Sequence, residues 1–367
     1  MSDTYLAGLF NPPTPTSTPT TPAVITPVDT PPTPAEPAEP GATVAAAVVA
    51  PVTPPTVTGQ GFAVKTFTDT LAPSASQRPR SRWFGRRRAA VEEAKRLDVA
   101  AVSTHWPQVK TVVVANTKGK AGKTPTAILT AAGFGVWGGT NPVLLDANPR
   151  GNLAARLETP PTVSLDDLLA AAPGLVDASQ TATINSYTSY QPQGHFNAVT
   201  GSGFTTITDG EATLLGRATI SAEDLWLAWS TLARIHPVIT IDTGNNIDEP
   251  MKAALSVANA LVVPLSWQQD YCDGAYTLLK DLDQIDALRP LIRSAIIINM
   301  NRREDPIPTR QAAAYRKIFT DMGLTVVDVP YDPHIGARGP ICWNQLTVAT
   351  RDAVLRLDAA IAHRFGA

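Results

Sequence analysis

Residues 111–127 read "TVVVANTKGKAGKTPTA", and their interpretation decides what the rest of the chain builds. Thr111 to Asn116 is a β-branched run of the kind that forms a strand buried on both faces. It leads into a turn holding Gly119 and Gly122, followed at once by Lys123, Thr124 and a helical pattern. A strand, a glycine-bearing turn and a helix N-terminus in that order can cradle phosphate. Backbone N–H groups turn inward, small residues let the chain approach the oxygens, a lysine meets the outer phosphates and a hydroxyl meets magnesium. Pro125 is compatible, because proline in the first helical turn forfeits an N–H that has no intrahelical partner. Lys120 is harder to place: if the backbone there needs a positive φ, lysine costs about 1 to 2 kcal/mol relative to glycine. Read alone, the loop leaves open a surface turn with a coincidental Gly-Lys-Thr.

Further short apolar runs follow at 142–146, 204–208, 237–242, 260–264, 295–300 and 324–330, with longer helical stretches between most of them. Ser221 and Asp224 stand in capping-box spacing before "LWLAWSTLARI", and the last segment, "TVATRDAVLRLDAAIAHRF", carries Val348, Val354, Leu355 and Ile361 as an expected packed stripe. This alternation predicts right-handed crossovers and an α/β fold, a mostly parallel sheet with helices on both faces. Ligands then bind at the carboxyl ends of the strands. Asp146 closes "PVLLD" and Asp242 closes "PVITID", where a P-loop NTPase-like fold places its magnesium and water ligands; the alternative is that each caps a turn. Residues 171–203, rich in Thr, Ser, Gln and Asn, read as a long loop or insertion, with a short helix before it at "SLDDLLAAA".

Composition divides the chain into three. Fourteen of its 33 prolines fall in residues 1–60, which hold no Lys or Arg. Such a segment cannot bury enough apolar surface to offset its ordering entropy, so residues 1–77 are expected to be a disordered Pro/Thr/Ala-rich tail. Residues 78–108 read as a basic linker with a short helix, and 109–367 as the folded α/β domain. The net charge of -2 conceals a block from Arg78 to Arg96 with eight basic residues against two acidic ones, a local +6. Two cysteines in no metal-ligand spacing argue against a disulfide framework or zinc site and fit a reducing cytoplasm. No run is long enough to span a bilayer, so stable membrane insertion is not expected.

With these features together the chain resembles the ParA/MinD family of deviant P-loop ATPases over about residues 109–364. "KGKAGKT" resembles the family loop K-G-G-x-G-K-T with Lys118 as signature lysine, "DANPRGNL" the D-x-D-P-Q-G-N segment, "VITIDTG" the aspartate-bearing switch, "IIINMN" the strand ending in an adenine-reading asparagine, and "VPYDPHI" the last strand and its turn. The pattern is most similar to actinobacterial MinD-like proteins linked to type VII secretion, plasmids or phages. The resemblance implies a homodimer sandwiching two ATP molecules, with Lys118 reaching the partner's nucleotide. It implies phosphate binding by the backbone of Gly119, Lys120, Ala121, Gly122, Lys123, Thr124 and Pro125. Base contacts fall to Asn299 and Pro330, and Mg2+ to Thr124 and Asp242. The resemblance further implies Lys118, Lys123, Asp146, Asn148 and Asp242 as the catalytic set. Asn148 stands where the family commonly has an aspartate. An amide orients water but cannot take its proton, so hydrolysis is expected to be slow.

The block "RPRSRWFGRRR" places Arg78, Arg80, Arg82, Arg86, Arg87 and Arg88 within eleven residues, around Trp83 and Phe84. Arginines release counterions from phosphate and aromatics stack on bases, so nonspecific DNA is the first expected partner, ahead of anionic lipid. A solvated linker is the plain alternative. The resulting expectation is an ATP-dependent switch in plasmid or phage genome partitioning or cargo positioning, cytoplasmic or nucleoid-associated, stimulated by a centromere-binding type of protein. Two others stand beside it: a secretion-machine accessory, and a nucleotide-binding scaffold that does not turn over.

Overall fold

The computed structural model describes residues 82–148, 151–201, 204–208, 211–215, 220–301 and 309–366. The segment read as a tail and two of the basic-block arginines, Arg78 and Arg80, lie outside them. In chain order the elements are α1 (Arg82–Val102), β1 (Lys110–Val114), α2 (Lys123–Gly138), β2 (Val143–Asp146), α3 (Leu165–Ala171), α4 (Thr181–Asn185), β3 (Ser189–Gln191), β4 (Phe196–Val199), β5 (Phe204–Thr208) and β6 (Glu211–Leu215). Then come α5 (Ala222–Leu232), β7 (Val238–Asp242), α6 (Glu249–Ser256), β8 (Ala260–Leu265), α7 (Gln269–Asp283), α8 (Arg289–Arg293), β9 (Ile296–Met300), α9 (Thr309–Asp321), β10 (Thr325–Val329), α10 (Pro333–Gly336) and α11 (Val348–Phe365).

Eight strands form one sheet in the order β10-β9-β8-β1-β7-β2-β4-β3. Every pairing is parallel except that of β3 with β4 at the edge. Because side chains alternate, each strand feeds two cores. Val113, Leu145, Ile239, Val263 and Ile297 pack under α3, α5, α6, α7 and Phe319 of α9. Val112, Val114, Leu144, Val262 and Ile298 pack under α2 and α11. The expected α/β class, a P-loop NTPase-like sheet covered on both faces, is what the chain adopts. The Ser221 and Asp224 capping box is formed, with each side chain bonded to the other's backbone N–H.

Four expectations need correction. Residues 171–203 are not merely loop: β4 pairs with β2 and extends the sheet, its polar Asn197 satisfied by Thr188 and Asn141. A four-residue strand with one polar member leaves too little pattern to read. "FTTIT" is a strand, but it pairs with β6 in a separate two-stranded ribbon. Asp209-Gly210 between the two strands is a strong hairpin signal that favours this local partner. Val348 leaves the packed stripe and is 62% exposed, at the first turn of α11. The helix within 78–108 is long, at 21 residues. Its second half is fastened by the Lys95–Asp352 pair at 2.8 Å, and Trp106, just past its end, meets Phe134 of α2 and Phe365 of α11 edge-on.

Two buried polar groups mark where packing works against charge. Asp358 of α11 is fully buried with neither oxygen partnered, and burial pushes its carboxyl well above the usual range. It fits only because Gly133 of α2 has no side chain; a Cβ there would lie 1.7 Å from Asp358 Oδ2. His236 donates Nδ1–H to the Asn141 carbonyl at 2.9 Å while its buried Nε2 has no partner, and burial lowers its pKa to about 4. The unfolded chain therefore binds a proton near pH 6.5 that the folded chain refuses until about pH 4, so stability falls as pH drops through that window. Denaturant titrations should show a loss of about 3 kcal/mol between pH 7.5 and 4. That increment should disappear in His236→Gln while the slopes from other groups persist.

Candidate functional site

The strand–loop–helix unit lies at the centre of the sheet, with β1 between β8 and β7. Parallel register does the positioning. Val114, the last residue of β1, pairs with Asp242, and Asp242 pairs with Asp146 on β2. Two carboxylates thus stand side by side at the carboxyl edge, next to the loop that leaves β1. Both are 2% exposed.

The loop has the geometry that phosphate binding requires. Gly122 takes φ +96° and begins α2, and a side chain there would meet Met300 Cγ at 3.0 Å. Open space surrounds the Gly119 Cα on the side where a Cβ would project. Lys120 does adopt a left-handed backbone, with φ 62°, so the conformational cost foreseen for a lysine is present. Its side chain is exposed, as is that of Lys118; Ala121 is buried. The Lys118 N–H donates to Asn116 Oδ1 at 2.9 Å, and its aliphatic stem lies against α7, where a side chain at Gly274 would meet it at 2.6 Å.

Lys123 and Thr124 converge on Asp242. The Thr124 hydroxyl donates to Asp242 Oδ2 at 2.6 Å, while Asp242 Oδ1 is buried without a partner. Lys123 is buried; its ammonium donates to Asn245 Oδ1 and, at 3.4 Å, to the Lys118 carbonyl. Burial lowers the Lys123 pKa, and the Asp242 charge opposes that. Burial raises both carboxyls: Asp146 is pushed further up by Asp242, against N–H groups of Asn148 and Gly201, while Thr124 and Lys123 pull Asp242 back. A divalent cation suits this pairing of an orphaned acceptor with a threonine hydroxyl. Thr124 and Asp242 would hold it, the rest of its shell coming from water and phosphate oxygens. Among the described residues no group of three or more His, Cys, Asp or Glu is arranged to hold a metal unaided.

Asn148 adjoins Asp146 just past the end of β2. Its N–H donates to Asp146 Oδ1 at 2.9 Å, and its side-chain Oδ1 lies 4.0 Å from where a Gly244 Cβ would be. Asn299, at the end of β9, is buried, and Pro330 follows β10, half-buried. Pro125 occupies the first turn of α2. Asn245, on the β7–α6 loop, escaped the sequence reading, although its place three residues after Asp242 was a usable signal. Asp328 and Trp267 escaped it too, because their link to Asn299 exists only across strands. The side chains of Arg82, Arg86, Arg87 and Arg88 fall outside the described residues, like Arg78 and Arg80. Among the described residues no helix is long and apolar enough to cross a membrane.

No family model and no curated protein matches the sequence. Among solved structures the fold is similar to a ParA family ATPase from Chlorobium tepidum, at 15% identity over 70% of this chain and 97% of that one, TM-score 0.49. It is also similar to the ATP complex of McdA from Cyanothece, at 14% identity over 71% and 97%, TM-score 0.48. The MinD cell division protein of Aquifex aeolicus matches at 16% identity over 68% and 96%, TM-score 0.46. These are likenesses of backbone at low identity; the chemistry of the site rests on its own residues.

The positive φ at Lys120 has a measurable price. Lys120→Gly should stabilise the chain by about 1 kcal/mol, since relief of the left-handed penalty exceeds the extra unfolded-state entropy of glycine. Chemical denaturation without nucleotide reads this directly.

Proposed function

We propose that this chain is an ATP-dependent dimeric switch of the ParA/MinD type. In this reading it binds ATP with Mg2+, hydrolyses it slowly, and uses its nucleotide state to control nonspecific DNA binding in plasmid or phage genome partitioning or cargo positioning. The observation that carries the reading is the convergence of Lys123, Thr124 and Asp242 at the end of β1, beside Asp146.

The steps follow from charge and position. The N–H groups from Gly119 to Thr124 and the Lys123 ammonium take the phosphates, with Lys123 exchanging Asn245 and the Lys118 carbonyl for phosphate oxygens. Thr124 and Asp242 would hold Mg2+, which would supply positive charge against the transferred phosphoryl group. Asn148 orients the attacking water without accepting its proton. Since phosphoryl transfer depends chiefly on positioning and electrostatics, the rate is low but not zero. The exposed Lys118 reaches the nucleotide of a second copy, ATP makes the dimer, and a partner protein stimulates its release. The arginines from Arg78 to Arg88 hold DNA phosphate.

The amide at Asn148 also favours a second reading, a nucleotide-binding scaffold without turnover. A role as a type VII secretion accessory shares the same site and differs in partner. Binding and turnover assays separate them. Lys123→Ala should weaken ATP binding about tenfold to hundredfold through loss of charge-assisted contacts. Lys118→Ala should retain binding by the monomer and lose the ATP-dependent dimer in sedimentation. Asn148→Asp should raise the hydrolysis rate, and an unchanged zero rate with and without DNA would favour the scaffold. Duplex DNA retention should need ATP, fall with salt, and vanish when the six arginines become alanine; retention indifferent to all three would exclude the DNA role.

A further inference from the structure

The carboxyl end of β9 borders the phosphate loop, since Met300 is the side chain that a Cβ at Gly122 would touch. The residue before it, Asn299, is 1% exposed and carries an unusual arrangement of hydrogen bonds. Its Nδ2 donates to Asp328 Oδ1 at 2.8 Å and to Asn301 Oδ1 at 2.9 Å, which uses both amide protons. Its Oδ1 is buried and has no partner. At the carboxyl edge of the sheet, where ligands bind, such an orphaned acceptor can be satisfied by a ligand's donor.

The orientation of the amide is decided by its neighbour. Asp328 and Asn299 are register partners on β10 and β9, so their side chains emerge on the same face. Asp328 is itself held in place: Trp267 Nε1–H donates to the same Oδ1 at 3.0 Å, and Arg316 of α9 pairs with Oδ2. A carboxylate offers acceptors only, so turning the Asn299 amide over would set oxygen against oxygen. Asn299 can therefore present nothing but an acceptor.

We propose that Asp328 is the positioning residue for base selection: by taking an Asn299 amide proton and leaving its Oδ1 free as an acceptor, it favours purines with a 6-amino group over purines with a 6-oxo group. The exocyclic N–H of adenine satisfies Oδ1; the carbonyl of guanine or hypoxanthine meets it as a second acceptor. This rests on the nucleotide reading of the loop and specifies which nucleotide the loop accepts.

Equilibrium binding of ATP, GTP and ITP to the full chain with Mg2+ tests it, because ITP carries an oxo group where ATP has the amine. ATP should bind at least about tenfold tighter than either, the effect of one acceptor left facing an oxygen. Asp328→Ala, which removes the acceptor that fixes the amide, should free it to turn and bring the ATP-to-ITP ratio towards one, with the thermal midpoint checking that the variant folds. A merely structural Asp328 would change all three affinities alike. Equal binding of ATP and ITP by the unaltered chain overturns the proposal whether or not the variant folds, and a folded variant with an unchanged ratio overturns the role of Asp328. Absence of binding by all three overturns the nucleotide reading itself.

Discussion

The 2.6 Å bond from Thr124 to Asp242 depends on nearly everything else in the molecule. It joins residues 118 positions apart, and it exists because β1 and β7 pair in a register that brings the end of one strand beside the carboxylate of the other. The same register sets Asp146 against Asp242. Burying two adjacent carboxyls and an ammonium in one corner is expensive in itself, and the sheet provides the apolar burial that offsets it. The Val, Ile and Leu of the eight-stranded sheet, covered on both sides, hold the corner closed.

This arrangement has the character of a site held ready for a highly charged ligand. Lys123 is kept from Asp242 by other partners, Asn245 and the Lys118 carbonyl, each of which a phosphate oxygen can replace. Asp242 keeps one oxygen without a partner. Asn299 keeps another at the far end of the same edge. Orphaned acceptors are rare in folded interiors, and here two of them lie along the carboxyl ends of the strands, where a doubly wound sheet takes its ligands. The left-handed Lys120 belongs to the same account: a conformational cost stored in the loop proposed to hold phosphate.

Much of this was legible without coordinates. "TVVVAN" and the glycine-bearing turn announce a strand, a loop and a helix because their periodicity and turn chemistry are local. Asp146 and Asp242 could be marked because each ends an apolar run. The edge was less legible. Phe196–Val199 is too short to carry a pattern, and "FTTIT" has the composition of a strand while its partner depends on a neighbouring hairpin signal. Val348 sits in the apolar rhythm of α11 yet points to solvent, since a first-turn residue need not face the core.

The sequence by itself determined the central alternation of strands and helices, the phosphate-type loop and the aspartates that end β2 and β7, since these depend on spacings of a few residues. Only the tertiary structure decided which strands became neighbours, and with that the meeting of Thr124 with Asp242, the stem of Lys118 against Gly274, and the hold of Asp328 on Asn299. Those contacts join residues 29 to more than a hundred positions apart. Register between strands, unlike periodicity within one, is fixed by the packing of the whole sheet.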